Sequence, residues 1–378
     1  MNQNHWEIHN PDGEARVVVT KVLPGKRWLL RLLKANCRVD VCRRQTVLDK
    51  DDLRSAISTQ CSGLIGQLTE EWGENLFRRF REAGGKVYSN YAVGYNNIDV
   101  DAATRFSIPV GNTPGILTET TAEMAVALTF AAARRLGEAE RYLRAGRFTG
   151  WLPDLFLGSL LNGKTLGVIG AGRIGCAYAK MMVQGHGLHL VYYNRSSNPE
   201  LESFIKDYNR FRKQQRIAPV SCRRTNTVEE LLEQSDIVGI HTVLNDTTRH
   251  MIDARRLRLM KSDAILINTS RGPIIDESAL VDHCKRHPEF RAGLDVFENE
   301  PDLAEGLNDL KNVVIVPHIA SATRWTREGM AILAASNVAG VLAGYPLWKG
   351  EDMRPFLGDG PPKAIPSIVN AEALGMHL

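Results

Sequence analysis

Cysteine is scarce and scattered in this chain. The six residues, Cys37, Cys42, Cys61, Cys176, Cys222 and Cys284, form no CxxC pair and no cluster with metal-ligand spacing. That pattern argues against a zinc site and favours a reducing compartment. Long apolar runs are missing too: no stretch approaches the roughly 20 residues that a membrane helix needs, so a soluble protein without a membrane partner is expected. Charge of one sign is also lacking. A balance of 47 Lys and Arg against 43 Asp and Glu leaves a formal net charge of +4 spread over both halves, which gives no reason to expect nucleic-acid binding. The opening MNQNHWEIHNPDGEARVVVT has no basic stretch followed by an apolar one, so it does not read as a secretory signal. Met376, His377 and Leu378 share only the leucine with the peroxisomal Ser-Lys-Leu address. A cytoplasmic location is the resulting expectation.

What is present points to a two-lobed α/β protein. At 378 residues, 43% hydrophobic and 24% charged, the chain is comfortable for two domains of about 100–200 residues each. ARVVVTK, PGKRWLLRLLKAN and RVDVC read as strand, helix and strand, and CSGLIGQL, LTEEWGENLFRRFREAGG and KVYSN continue the alternation, which argues for a parallel sheet covered by helices. TETTAEMAVALTFAAARRLGEAERYLRAG reads as one long helix leading into GRFTGWLPDLFLG, a loop expected to cross between lobes. The polar segment from Asn198 to Arg224, with a helix over FIKDYNRFRKQQ, reads as a solvated surface insertion. Strands resume at DIVGIHTV, AILINTS, RAGLDVF and VVIVPHIA. A last helix, WTREGMAILAASNVAGVLAG, precedes a proline-rich tail expected to pack on the first lobe.

Between these parts lies LNGKTLGVIGAGRIGCAYAKMMVQGHGLHLVYYNR, a strand, a glycine-rich turn, a helix and a second strand. Gly170, Gly172 and Gly175 form GxGxxG directly after the first strand. The first glycine permits a tight turn, the second lets backbone amides reach a pyrophosphate, and the third lets helix and strand pack closely. Arg173 and Ile174, which open the helix, contribute amides to the same anion site. Alone the pattern is weak, but its place between strand and helix makes it a dinucleotide site rather than a set of ordinary turn glycines. NAD-specific sites usually place Asp or Glu at the end of the second strand. Here stand Asn194, Arg195, Ser196 and Ser197, and a guanidinium with hydroxyls suits a 2′-phosphate, so NADP is the expected cofactor, with NAD possible. The competing reading leaves Arg195 as a solvated loop residue.

NTSRGPIIDESAL, GLDVFENEP and VVIVPHIASAT resemble signatures of the D-isomer-specific 2-hydroxyacid dehydrogenase family. The likeness extends through SNYAVGYNNIDVDAATRFSIPVGNTPG and LTETTAEMA in the first part of the chain. Plant-type hydroxypyruvate reductases look closest, because GWLPDLFLG, WTREGM and the insertion are similar. The resemblance implies two Rossmann-like domains with parallel sheets: a flavodoxin-like substrate domain from residues 1–120 and 323–378, and an NAD(P)-binding domain over 121–322, with a cleft that closes. It implies Arg271, Glu300 and His318 as catalytic residues.

Those residue types suit the chemistry. Hydride delivered to a 2-ketoacid leaves an alkoxide that needs a proton, and the adjacent carboxylate needs a cation. An imidazole such as His318 titrates near neutrality and would be kept cationic by Glu300, while Arg271 offers a planar fork. Singly, a core histidine, an acidic turn and a helix cap would explain them. Together, in order behind a glycine loop, they favour catalysis. The resemblance further implies substrate contacts from backbone near Val93 and Gly94, as well as from Arg271 and His318. It implies cofactor contacts from Thr121, Thr269, Ser270 and Ser321, with Asp295 orienting the nicotinamide carboxamide. The expected reaction is reduction of hydroxypyruvate to D-glycerate and of glyoxylate to glycolate without a metal, by a homodimer joined through the long helix and the apolar Trp151, Leu152, Leu155, Phe156 and Leu157. Phosphoglycerate or formate dehydrogenase activity, or a nucleotide-sensing corepressor-like role, are the alternatives.

Overall fold

A computed structural model describes residues 5–376, so the C-terminal His377 and Leu378, on which the comparison with a peroxisomal address rests, lie outside the described residues. Two compact units divide the chain, one up to Leu117 together with the residues from Ala322, the other Thr118–Ser321. No helix among the described residues is long and apolar enough to cross a membrane.

The first unit runs β1 (Trp6–His9), β2 (Ala15–Val19), α1 (Arg27–Lys34), β3 (Cys37–Cys42), α2 (Lys50–Ile57), β4 (Gly63–Gly66), α3 (Glu74–Glu82), β5 (Val87–Asn90), α4 (Val100–Arg105) and β6 (Val110–Gly111). Its sheet order is β1-β3-β2-β4-β5-β6. Val17, Val18 and Val19 are fully buried, the near-continuous apolar run of a parallel strand covered on both faces. The sheet is not purely parallel, however: β1 pairs antiparallel with β3, Trp6 opposite Cys42. Four residues, WEIH, three half-buried and Ile8 exposed, carry too little apolar signal to announce an edge strand. The helix expected over LTEEWGENLFRRFREAGG starts only at Glu74, because Gly73 is extended. Trp72 before it joins a buried aromatic group, its ring centroid 4.5 Å from Tyr88 and 5.3 Å from Phe77. The late helix Arg324–Leu342 is buried over most of Thr326–Gly340 and packs against α1, β4 and β5. The proline-rich tail packs here as expected, with the Val369 amide donating to the Val110 carbonyl at 2.8 Å.

The second unit contains α5 (Thr118–Ala133), α6 (Leu136–Arg144), β7 (Thr165–Ile169), α7 (Arg173–His186), β8 (His189–Tyr193), α8 (Pro199–Gln214), β9 (Cys222–Arg224), α9 (Val228–Gln234), β10 (Ile237–Ile240), α10 (Ala254–Leu257), β11 (Ile265–Asn268), α11 (Glu277–Arg286), β12 (Arg291–Leu294) and β13 (Val313–Ile315). Its strands lie in the order β13-β12-β11-β10-β7-β8-β9, and every neighbouring pair is parallel.

Three expectations change in this unit. The long helix is two helices, because Arg135 is left-handed at φ 55° and the Ser159 amide takes the Ala133 carbonyl that a continuing helix would use. That bond also ties the end of the tryptophan-bearing loop to α5, so GWLPDLFLG lies inside the second unit rather than between units. The insertion is not simply a solvated surface feature either. Asn198 caps α8 with Pro199 behind it, Leu201 and Ile205 are buried, and the segment returns as β9 to extend the sheet.

Glu70 lies after β4 and is only 1% exposed. Its Oε2 accepts the Gln67 amide at 3.0 Å, and burial pushes its carboxyl up from 4.5 to about 7. The folded state therefore binds this proton more tightly than the unfolded state, so the group's contribution to stability declines as pH rises from about 4.5 through about 7, by about 3 kcal/mol. Glu70→Gln should remove that part of the decline in denaturant unfolding compared at pH 5 and pH 8. An identical decline in both proteins would contradict it.

Candidate active site

The glycine turn after β7 is shaped by backbone requirements. Gly170 takes φ 94°, where a Cβ would stand 2.7 Å from the His241 carbonyl oxygen, and a Cβ on Gly175 would lie 2.1 Å from the Gly170 oxygen. Gly172, the N-cap of α7, has open space at its Cβ position. Arg173 follows it in the first turn and is exposed, Ile174 is half-buried, and α7 has no acidic residue in its first turn. An open, amide-lined helix start fits the pyrophosphate of a dinucleotide.

Nearby strands add orphaned polar atoms that fit the same group. Thr269 Oγ1 and both ring nitrogens of His241 are buried without a hydrogen-bond partner. Burial lowers the His241 imidazole to about 3, so it stays neutral and offers one donor and one acceptor. His241 directly follows β10 within DIVGIHTV, where the sequence offered no sign of a polar role. Ser270 Oγ donates to the Ile240 carbonyl at 2.9 Å, while Thr121 is a buried residue of α5. Ser321 is half-buried at the end of the unit. At the carboxyl end of β8, Asn194 Nδ2 donates to the Ser196 carbonyl at 3.2 Å, and Arg195 and Ser196 are exposed.

The three expected catalytic residues come from the carboxyl ends of β11, β12 and β13, which are adjacent in the sheet. His318 Nδ1 lies 2.9 Å from Glu300 Oε2, and Glu300 Oε1 accepts the Phe297 amide at 3.0 Å. Burial opposes ionisation of Glu300, but the bond to His318, its positive charge, the Phe297 amide and Arg271 outweigh it and hold the carboxyl below its ordinary range. Burial also disfavours the charge of Arg271, and the Glu300 carboxylate opposes that effect. A guanidinium so placed remains a cation at working pH.

Backbone contacts fix these side chains. Asn268 accepts the Ser270 amide at 3.0 Å and donates to the Arg271 carbonyl at 2.9 Å, and Gly272 packs so closely on Phe297 that a Cβ would fall 1.9 Å from its carbonyl. His318 itself has φ 51°, a strained conformation for a non-glycine residue. Asp295 holds that turn. It is fully buried, and its two oxygens accept the amides of Ile319 and Ala320 at 2.6 and 2.9 Å. The carboxylate expected at the nicotinamide thus has a visible task in orienting the histidine.

Residues 126–320 match the family described as D-isomer specific 2-hydroxyacid dehydrogenase, NAD binding domain. Over 373 residues the chain is 54% identical to a glycerate dehydrogenase of Cucumis sativus, covering 98% of each chain. The chain belongs to this family. It is also 53% identical over 376 residues to a peroxisomal glycerate dehydrogenase of Arabidopsis thaliana, covering 98% of this chain and 97% of that one. Among solved structures, an NADPH-dependent glyoxylate/hydroxypyruvate reductase from Sinorhizobium meliloti, in complex with NADP and malonate, aligns with a TM-score of 0.71 at 28% identity, covering 88% of this chain and 95% of that one.

In the first unit of this family member, Val93 and Gly94 are half-buried in the turn after β5. Their carbonyls are tied inward by Asn112 Nδ2 and Asn90 Nδ2, each at 2.9 Å. Asn90 Nδ2 also donates to Asn97 Oδ1 at 3.2 Å, so three asparagines brace the turn. A second brace, reciprocal between Glu277 and Glu298, supports the segment ahead of Glu300. The Glu298 amide donates to Glu277 Oε1 at 2.7 Å and the Glu277 amide to Glu298 Oε2 at 3.4 Å.

Gly272→Ala should displace the Arg271 turn without unfolding the protein. Steady-state kinetics should show kcat/KM down by at least about 10²-fold, the scale of a misplaced catalytic group, with the circular dichroism spectrum retained. Normal turnover would show that the close approach to Phe297 is dispensable.

Proposed function

We propose that this protein reduces hydroxypyruvate to D-glycerate and glyoxylate to glycolate, with NADPH preferred and NADH accepted. The observation that carries the reading is the His318–Glu300 pair at 2.9 Å in the unit that also holds the glycine turn and Arg271. The names of the relatives and of the solved neighbour support this substrate class.

The dinucleotide supplies the hydride when bound. Gly170, Gly172, Arg173, Ile174 and Gly175 would hold its pyrophosphate, Asn194, Arg195 and Ser196 its 2′-phosphate, and Thr121, Thr269, Ser270 and Ser321 would make the remaining contacts. His318 donates the proton from Nε2 to the ketone oxygen, and Glu300 stabilises the imidazolium until that step. Arg271 grips carboxylate and ketone oxygens, and Asp295 holds the histidine turn. The amides of Val93 and Gly94, in the substrate unit, receive the substrate carboxylate.

A homodimer belongs to the same proposal. α6 buries none of its residues, and the loop after it exposes Trp151 at 82% and Leu160 at 80%, apolar side chains that a partner copy would cover. A cytoplasmic location is also part of the proposal, and imaging of the tagged chain tests it against peroxisomal import.

Three outcomes test these statements. His318→Ala should cost at least about 10²-fold in kcat with hydroxypyruvate and glyoxylate alike, and near-normal turnover removes it as the proton donor. The wild type should show a higher kcat/KM with NADPH than with NADH, and Arg195→Ala should narrow that ratio. Light scattering should return twice the chain mass, shifting toward one chain in a Trp151→Asp, Leu160→Asp double variant.

A further inference from the structure

We propose that Arg224, on the inserted edge strand β9, is a specificity-determining residue that completes with Arg195 a two-arginine cradle for the 2′-phosphate of NADPH. The inference rests on the NADP reading above and extends it to a residue 29 positions beyond Arg195, one that no glycine motif indicates.

The sheet brings the two arginines to one edge. β9 pairs parallel with β8, and Tyr192 stands opposite Arg224, so Arg224 lies at the carboxyl end of the neighbouring strand, where ligands of open α/β sheets bind. The Thr225 amide, donating to the Tyr192 carbonyl at 2.9 Å, fixes that end. Arg224 then reaches across: Nε and Nη2 donate to the Asn194 carbonyl at 3.1 and 3.0 Å, and Nη2 also donates to the Arg195 carbonyl at 2.9 Å. These bonds leave Nη1 available to a ligand. The same loop is joined to the glycine turn, because Asn198 Nδ2 donates to the Ala171 carbonyl at 2.8 Å. Insertion, β8 loop and glycine turn are therefore one hydrogen-bonded assembly.

Charge decides what this assembly suits. Arg223, next in the strand, is neutralised by Glu230, and that carboxylate also accepts the Asn226 amide. Neither Arg224 nor Arg195 forms an ion pair with a carboxylate among the described residues. Two guanidiniums without a carboxylate partner, carried by one hydrogen-bonded loop, match a phosphate monoester of about −1.5 to −2 charge. The 2′-hydroxyl of NADH brings no charge to meet them. Loop support and charge are separable: a residue that only propped the loop would serve both cofactors equally.

The full-length enzyme tests this by kinetics with NADPH and NADH, and by calorimetry with adenosine 2′,5′-bisphosphate and 5′-AMP, which needs no turnover. Arg224→Met should raise the NADPH KM and the bisphosphate Kd about tenfold to a hundredfold, the loss of a charge-assisted contact. It should leave kcat, the NADH KM and the 5′-AMP affinity in place, and Arg224→Lys should restore part of the loss. Equal weakening with both cofactors would make Arg224 a loop support only, and no weakening with either would make it a solvated side chain; both overturn the inference. A wild type that prefers NADH and binds the bisphosphate no better than 5′-AMP overturns the NADP reading itself. A wild-type NADPH preference that survives in Arg224→Met overturns the Arg224 assignment alone.

Discussion

Gly272 meets the Phe297 carbonyl with no room for a Cβ, and through that approach the turn after β11 and the acidic turn after β12 become one surface. Arg271 precedes this glycine and Glu300 follows Phe297 by three residues, so this contact, with the Asn268 bonds and the Glu277–Glu298 brace, holds the two turns beside each other. The Phe297 amide then holds one Glu300 oxygen, leaving the other for His318.

Burial sets the electrostatic character of this surface by acting differently on each group. It neutralises His241, where no charge is nearby to oppose it. It fails to neutralise Glu300, because a histidine, an amide and an arginine converge on that carboxylate. Asp295 is raised by burial against the opposing pull of two amides, and the strained backbone of His318 is maintained by the bonds those amides make. The Glu300 and His318 pair therefore sits inside a frame of ordinary backbone hydrogen bonds.

Much of this was legible in the residues. GxGxxG between an apolar strand and a helix announced the tight turn that Gly170 and Gly175 make, and the family resemblance of the TSRGP, ENEP and PHIAS segments singled out Arg271, Glu300 and His318, of which the structure pairs His318 with Glu300. Other features left no local trace. WEIH is too short and too weakly apolar to signal an edge strand. The uninterrupted helical pattern through Arg134 and Arg135 concealed a break that the Ser159 amide makes from a distant loop. The polar run after Asn198 resembled a solvated excursion, although two buried apolar residues and a three-residue strand bind it into the sheet.

The sequence by itself determined the family and the kinds of side chain at the candidate site, because an imidazole, a carboxylate, a guanidinium and a glycine turn are set by residue type and short spacing. Only the tertiary structure decided which backbone atoms hold those side chains and which distant residues join them. Asp295 reaching the turn after His318, His241 at the glycine turn and Arg224 on the β8 loop depend on strand order and register, which bring together residues that no short-range periodicity relates.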